Sequence, residues 1–193
     1  MDSRSRRRWF VTALVLFLAL SVVRLAITVS RDGIEGATIW IALLVVVVIV
    51  GVTLAVVVRR AGAVREHVAR LRPGAVVVPA FTTADTLDEA RAAGARTKGI
   101  SGMGGNPVAL AVGDGAVEVW VGREEAPRWV VRRVPDGVTQ ARAVYGSRES
   151  GAVRVSDRAT SVTVVPAYRP LRAAGGAAGA DLARAVQELT TAP

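Results

Sequence analysis

The spacing of apolar side chains changes character twice along the chain. Residues 9–29 and 37–58 are apolar without any period; one charge, Arg24, interrupts the first run and none interrupts the second. As helices rising 1.5 Å per residue, the two runs reach about 30 Å each, the thickness of a bilayer core. The pattern predicts two transmembrane helices, joined by residues 30–36, a short link rich in turn formers that makes them antiparallel neighbours. From Arg59 to Arg72 the spacing turns helical and amphipathic. Val64, Val68 and Leu71 fall at i, i+4 and i+7 on one face, and Pro73 and Gly74 then break the helix.

Beyond residue 73 a period of two takes over. Residues 75–81 form a β-rich run, and Asp85 is expected to cap a short helix over 86–93 that Gly94 ends. Val108, Leu110 and Val112 share one strand face, as do Val117, Val119 and Val121. Between them Asp114 and Gly115 signal a type I′ hairpin turn, with both residues at positive φ. Further strands are expected over 128–134, 138–145, 152–155 and 161–165, with turns at Pro135-Asp136-Gly137 and over 156–160. Residues 173–180 read as a Gly/Ala linker. Asp181 is then expected to cap a last helix whose Leu182, Ala185, Val186 and Leu189 form one apolar stripe that covers the open end of the sheet.

Charge sets orientation. Arg4, Arg6, Arg7 and Arg8 precede the first run and Arg59 and Arg60 follow the second, whereas the link has only Arg31 against Asp32 and Glu35. By the positive-inside rule both termini are cytoplasmic and the protein spans the cytoplasmic membrane twice. A basic start and an apolar stretch over 9–23 also fit a cleaved leader, although no clean small-x-small cleavage site precedes Arg24; residues 37–58 would then stop transfer and leave the C-terminal region inside all the same. Arg24 lies in the last third of its run, within reach of the outer headgroups or of Asp32 and Glu35. With no acidic residue, His or Pro inside either run, no transport path is visible. Gly51 and Ala55 form a small-xxx-small pair through which the second helix is able to pair with another copy.

The formal net charge of +9 raises nucleic acid as a partner, and its distribution answers the question. Residues 73–193 carry 14 basic and 12 acidic side chains, so the excess lies at the membrane and a nucleic-acid groove is not expected. Arg59, Arg60, Arg65, Arg70 and Arg72 are candidates for contact with lipid headgroups, together with Arg91, Arg96 and Lys98 on loops. Trp120, Trp129 and Tyr145 are candidates for a partner surface, with core packing as the other reading of the same residues.

No Cys and one His, His67, exclude disulfides, thiol nucleophiles and Cys/His zinc sites. The run from Gly99 to Pro107 invites a phosphate-loop reading, but Lys98 precedes the glycines and Pro107 spoils a dinucleotide pattern, so a strand connection is expected. Nothing pairs carboxylates for acid–base work, and no catalytic residue, cofactor or metal is expected.

Six or seven short strands followed by one C-terminal helix resemble the pleckstrin-homology-like (PH-like) barrel. The chain as a whole is similar to bacterial membrane proteins of actinobacterial type that join two spans to a cytoplasmic PH-like domain, here residues 73–193. The resemblance implies a membrane-anchored α+β protein whose barrel or sandwich serves as a non-enzymatic interaction module that recruits or scaffolds a protein partner. Binding of anionic headgroups is the alternative it leaves open. Arg91, Arg96 and Lys98 lack the spacing of the family's inositide signature, and no Trp occurs in 181–189, so inositide binding is not carried over.

Overall fold

The computed structural model describes residues 41–191 apart from 42, 57, 174, 175 and 178. Seven strands form one antiparallel sheet that curls into a half-barrel: β1 (Val76–Thr82), β2 (Pro107–Gly113), β3 (Ala116–Val121), β4 (Trp129–Arg132), β5 (Val138–Tyr145), β6 (Arg148–Ser156) and β7 (Ser161–Pro166). Their order across the sheet is β4-β3-β2-β1-β7-β6-β5. Around them lie the helices α1 (Leu43–Leu71), α2 (Asp85–Ala92), α3 (Pro170–Ala173) and α4 (Gly179–Thr191). The fold is therefore a sheet of the barrel or sandwich kind with a C-terminal helix, as the alternation predicts.

Alternation also decides the core. Val78, Leu110, Val119, Val131, Val153 and Val164 point to the concave side, where Ala185 and Leu189 of α4 close on them. Gly151 lies close under that helix: a Cβ there would meet Leu182 Cδ1 at 2.6 Å, so the leucine side chain would have to shift. The gap beside β4 is bridged by side chains in place of backbone pairs. Arg132 N donates to Asp157 Oδ2 at 2.9 Å, and the Trp129 indole donates to Ser161 O at 3.3 Å. In the middle of the sheet α2 takes over where β1 leaves β7: Glu89 accepts from Thr163 N and Thr163 Oγ1, while Thr83 and Thr86 donate their hydroxyls to Thr163 O. Thr163 lies past the end of the β1–β7 pairing, so α2 satisfies the backbone groups that β1 leaves open.

Several local expectations change. Ala84, not Asp85, is the residue preceding α2, and it makes no side-chain cap; Thr86 Oγ1 accepts from Thr83 N at 2.8 Å instead. Asp181 lies inside the first turn of α4 and is buried against Arg169, with Nη2–Oδ1 2.7 Å, so it anchors the helix without capping it. The β2–β3 turn falls at Asp114 and Gly115, between the paired Gly113 and Ala116. Only Gly115, at φ 75°, adopts positive φ. The turn is therefore not type I′: one left-handed residue closes it, and Asp114 avoids the strain of a second. The linker expected over 173–180 is partly docked, because Ala173 is buried and Ala177 N donates to Ser150 Oγ.

Among the described residues α1 is the one helix long and apolar enough to cross a membrane. The expected first span (9–29), its basic lead (1–8) and the link (30–36) lie outside the described residues, as do residues 37–40 of the second. The hairpin of two helices is thus not part of what the structure describes. The compact unit that contains the sheet begins at Val56, well before the boundary expected at residue 73.

Candidate functional site

That early start has a cause. Ala61, Val64 and Val68 of α1 are buried, whereas Leu71, expected on the same face, is 37% exposed. The buried face is the one set by a spacing of three then four, and it lies on the convex side of the sheet. Val64 and Val68 pack on Val77, Ala109, Ala111 and Trp120, and Ala61 packs on Phe81, Ala167 and Ala173. β1 is consequently covered on both faces.

Polar contacts fix the register of this seam. Arg72 forks onto Glu118, with Nε–Oε2 2.8 Å and Nη2–Oε1 3.0 Å. Trp120 donates its indole N–H to the same carboxylate at 3.0 Å, and the Arg72 guanidinium stands 5.4 Å from the Trp120 ring. His67 Nε2 donates to Glu124 O at 2.9 Å. The Glu124 carboxylate in turn accepts from Arg128, at 2.7 to 3.1 Å, and from Arg96. Those bonds, Arg128's first, hold the Glu124 carboxyl below the usual carboxylate range against the opposing effect of burial.

The basic candidates separate into two groups. Arg59, Arg60, Arg65 and Arg70 are exposed, and none of them forms an ion pair among the described residues. Arg72 is committed to Glu118, Arg96 to Glu124 and Arg91 to Asp88; Lys98 is exposed. The aromatic candidates do not meet on one surface. Trp120 is sealed beneath α1, Trp129 is buried in the concave core, and half-buried Tyr145 stands beside Phe81 with ring centroids 6.0 Å apart. Their positions match the core-packing alternative. Glu118 and Glu124, whose place in or beside strands and turns reads from sequence as ordinary solvated charge, are instead the acceptors of this seam. Glu118 carried a signal, since it shares a strand face with Trp120 two positions on.

The glycine-rich connection is held down, with its amides engaged. Ser101 N donates to Asn106 Oδ1, Gly104 N to Ser101 O, Gly105 N to Thr82 O and Asn106 N to Thr82 Oγ1. Gly104, at φ 74°, lies so close to β1 that a Cβ would sit 2.4 Å from Thr82 O. Such a loop has few donors left to cradle a phosphate. At the other end of the sheet, a cleft of about 330 Å³ is lined by Gly115, Pro135, Val138, Val155 and Leu189 among others. Its polar lining is Arg133, Asp136 and Thr190, and Arg133 Nη2 donates to Thr190 O at 2.8 Å. Among the described residues no three His, Asp or Glu side chains come together as metal ligands. No protein-family model, no curated protein and no solved structure matches this chain.

Proposed function

We propose that the protein is a non-enzymatic membrane protein that presents a PH-like β-domain at the inner face of the cytoplasmic membrane, where the domain recruits a protein partner. One observation carries this reading. α1 (Leu43–Leu71) contains most of the apolar run and also the seam residues Ala61, Val64 and Val68, and Arg72 just after it pairs with Glu118. The domain is thereby built on the same helix that carries the apolar run, which suits a module presented at a membrane. The PH-like assignment draws support from two antiparallel meanders, β1–β4 and β5–β7, joined through the β1–β7 pair, and from α4 packed into their core. The hairpin of two spans rests on the two apolar runs and the short link between them, and the cytoplasmic position of both termini on the arginine distribution.

The test is crosslinked purification of the full-length chain from its own membrane beside a version that ends at residue 58. A protein recovered stoichiometrically with the full chain alone supports the proposal; identical recoveries refute it. A second reading, headgroup binding by the juxtamembrane arginines, is favoured by the exposure of Arg59, Arg60, Arg65 and Arg70. Salt-sensitive flotation of residues 59–193 with anionic liposomes, lost on replacing those four, would support it.

A further inference from the structure

The sheet has two edges, β4 and β5, and treats them differently. The β4 edge is sealed. Arg132 N donates to Asp157 Oδ2 at 2.9 Å and Val130 O accepts from Thr160 Oγ1 at 3.3 Å, so the turn between β6 and β7 supplies side chains where a neighbouring strand would stand. On the β5 edge the one cap among the described residues is at its far end, where Val144 O accepts from Ala84 N at 2.9 Å.

Two bonds fix which groups of β5 face outward. Gly137 O, one residue before the strand, accepts from Ser156 N of β6, whereas Val144 O accepts from Ala84 N on the opposite side. In an antiparallel ladder the direction alternates from residue to residue. Odd-numbered residues of β5 therefore turn their N–H and C=O to β6, and even-numbered ones turn theirs away. Val138, Gln140 and Arg142 present their backbone groups along a free edge, and no bond among the described residues reaches them. The side chains of Thr139, Gln140 and Arg142 are exposed. Such an edge is a template for another strand.

We infer that the strand is β5 of a second copy of this chain, paired antiparallel about a two-fold axis at Gln140. The ends set the register. Ala84 stands against Val144, so the incoming strand stops at Arg142. The pairing that joins every open group up to that point sets Gln140 opposite Gln140, and Val138 of one copy opposite Arg142 of the other. Charge agrees with it. The two Arg142 residues lie four positions apart, roughly 13 Å along the strand, which avoids the cost of like charges directly opposite. On the axis the two Gln140 amides each offer the other a donor and an acceptor. An acidic peptide fits less well, because Arg142 is the only charged side chain of β5 and already has Glu149 at 3.9 Å. The pairing concerns the sheet alone, and is independent of the membrane anchorage and of the partner protein proposed above.

Because the chain has no cysteine, single cysteines in the full-length protein report the register. Directly opposite hydrogen-bonded residues have Cα atoms about 5.5 Å apart, within disulfide range, and diagonal neighbours at about 7–8 Å fall outside it. Under mild oxidation Gln140→Cys should form a linked dimer, while Thr139→Cys and Asp114→Cys should stay monomeric. Co-expressed Thr139→Cys and Ala141→Cys copies, opposite each other in this register, should link to one another. That link should be lost when both copies also have Gln140→Lys, or both Gln140→Glu, and return when one copy has each, a rescue that misfolding would not show. No link at 140, or one equally strong at 139, overturns the inference. A 139–141 link indifferent to Gln140→Lys overturns it as well. Linkage at Val46→Cys with none at 140 places the contact between copies on α1 and also overturns it.

Discussion

The two halves of α1 are built from the same residue types and meet different surroundings. Up to Val58 most of its large valines, leucines and isoleucines are 37–58% exposed, with Leu44 and Val47 intermediate. Three residues later Ala61, Val64 and Val68 are no more than 5% exposed. The first half shows no period, which fits the membrane anchorage proposed above, since a medium apolar all round rewards every face equally. The second half has a stripe because only one face meets the sheet, while Arg65, Glu66 and Arg70 take the other. A helix can thus belong to two environments at once, and the change in apolar period marks where one ends and the next begins.

Removing the second half is the strongest way to break that comparison. Residues 59–193 should fold as a cooperative unit, whereas residues 73–193 lose the cover over Val77, Ala109, Ala111 and Trp120. Burial of Val64 and Val68 alone contributes roughly 3–6 kcal/mol. The shorter fragment should bind a hydrophobic dye, show a red-shifted Trp120 emission and unfold at much lower urea; matching urea midpoints would show that the seam contributes nothing.

A single carboxylate should then separate the halves. Val68→Asp places a charge where the side chain is 0% exposed, and should cost about 3 kcal/mol or more in the urea stability of residues 59–193. Val46→Asp lies outside that fragment. In the full chain it should leave the domain's melting unchanged and impair membrane insertion by about 2.5–3.5 kcal/mol. Thermal melts read the first effect and a carbonate-extraction assay the second. Similar outcomes in both assays for the two variants would erase the distinction.

Much of the sheet was legible because alternation needs only neighbours two apart: the faces of β2 and β3 and the stripe of α4 follow directly from it. The seam was not, because its partners are 46 and 57 residues apart in the chain, as in Arg72–Glu118 and His67–Glu124. Helix periodicity also allows two neighbouring stripes through Val64 and Val68, one continuing to Leu71 and the other starting at Ala61, and only the small side chain lets the helix approach Phe81 closely. Turn chemistry was half legible. Gly115 stands where expected with the required φ, and a Cβ there meets nothing within 4 Å. Gly115→Val should therefore act through backbone strain alone, lowering stability by about 1–2 kcal/mol. An unchanged urea midpoint would mean that the turn relaxes to negative φ.

The smallest effect expected is a dependence on acid, and it also belongs to one half of the comparison. Glu124 is held below its ordinary range by Arg128 first and Arg96 next. Asp157 is held down by the backbone N–H of Thr160 first, and also by those of Arg132 and Ala159. Both carboxyls bind protons less readily folded than unfolded. Their contribution is therefore fully present above the unfolded values of about 4.3 and 3.9, and is lost as pH falls through the lower folded values. Because His67 hangs on the backbone of Glu124, protonation there should loosen the seam. The urea midpoint of residues 59–193 should be flat from neutral pH down to about 5 and then drop. Glu124→Gln should lower the plateau slightly and make the drop shallower, since less of the linkage remains. The apolar half of α1 has nothing that titrates between Leu43 and Val58, so quenching of a probe at Val46→Cys in vesicles should not change over the same range. A midpoint that rises as the pH is lowered would mean that these carboxyls are destabilised in the fold and that the arginines do not hold them.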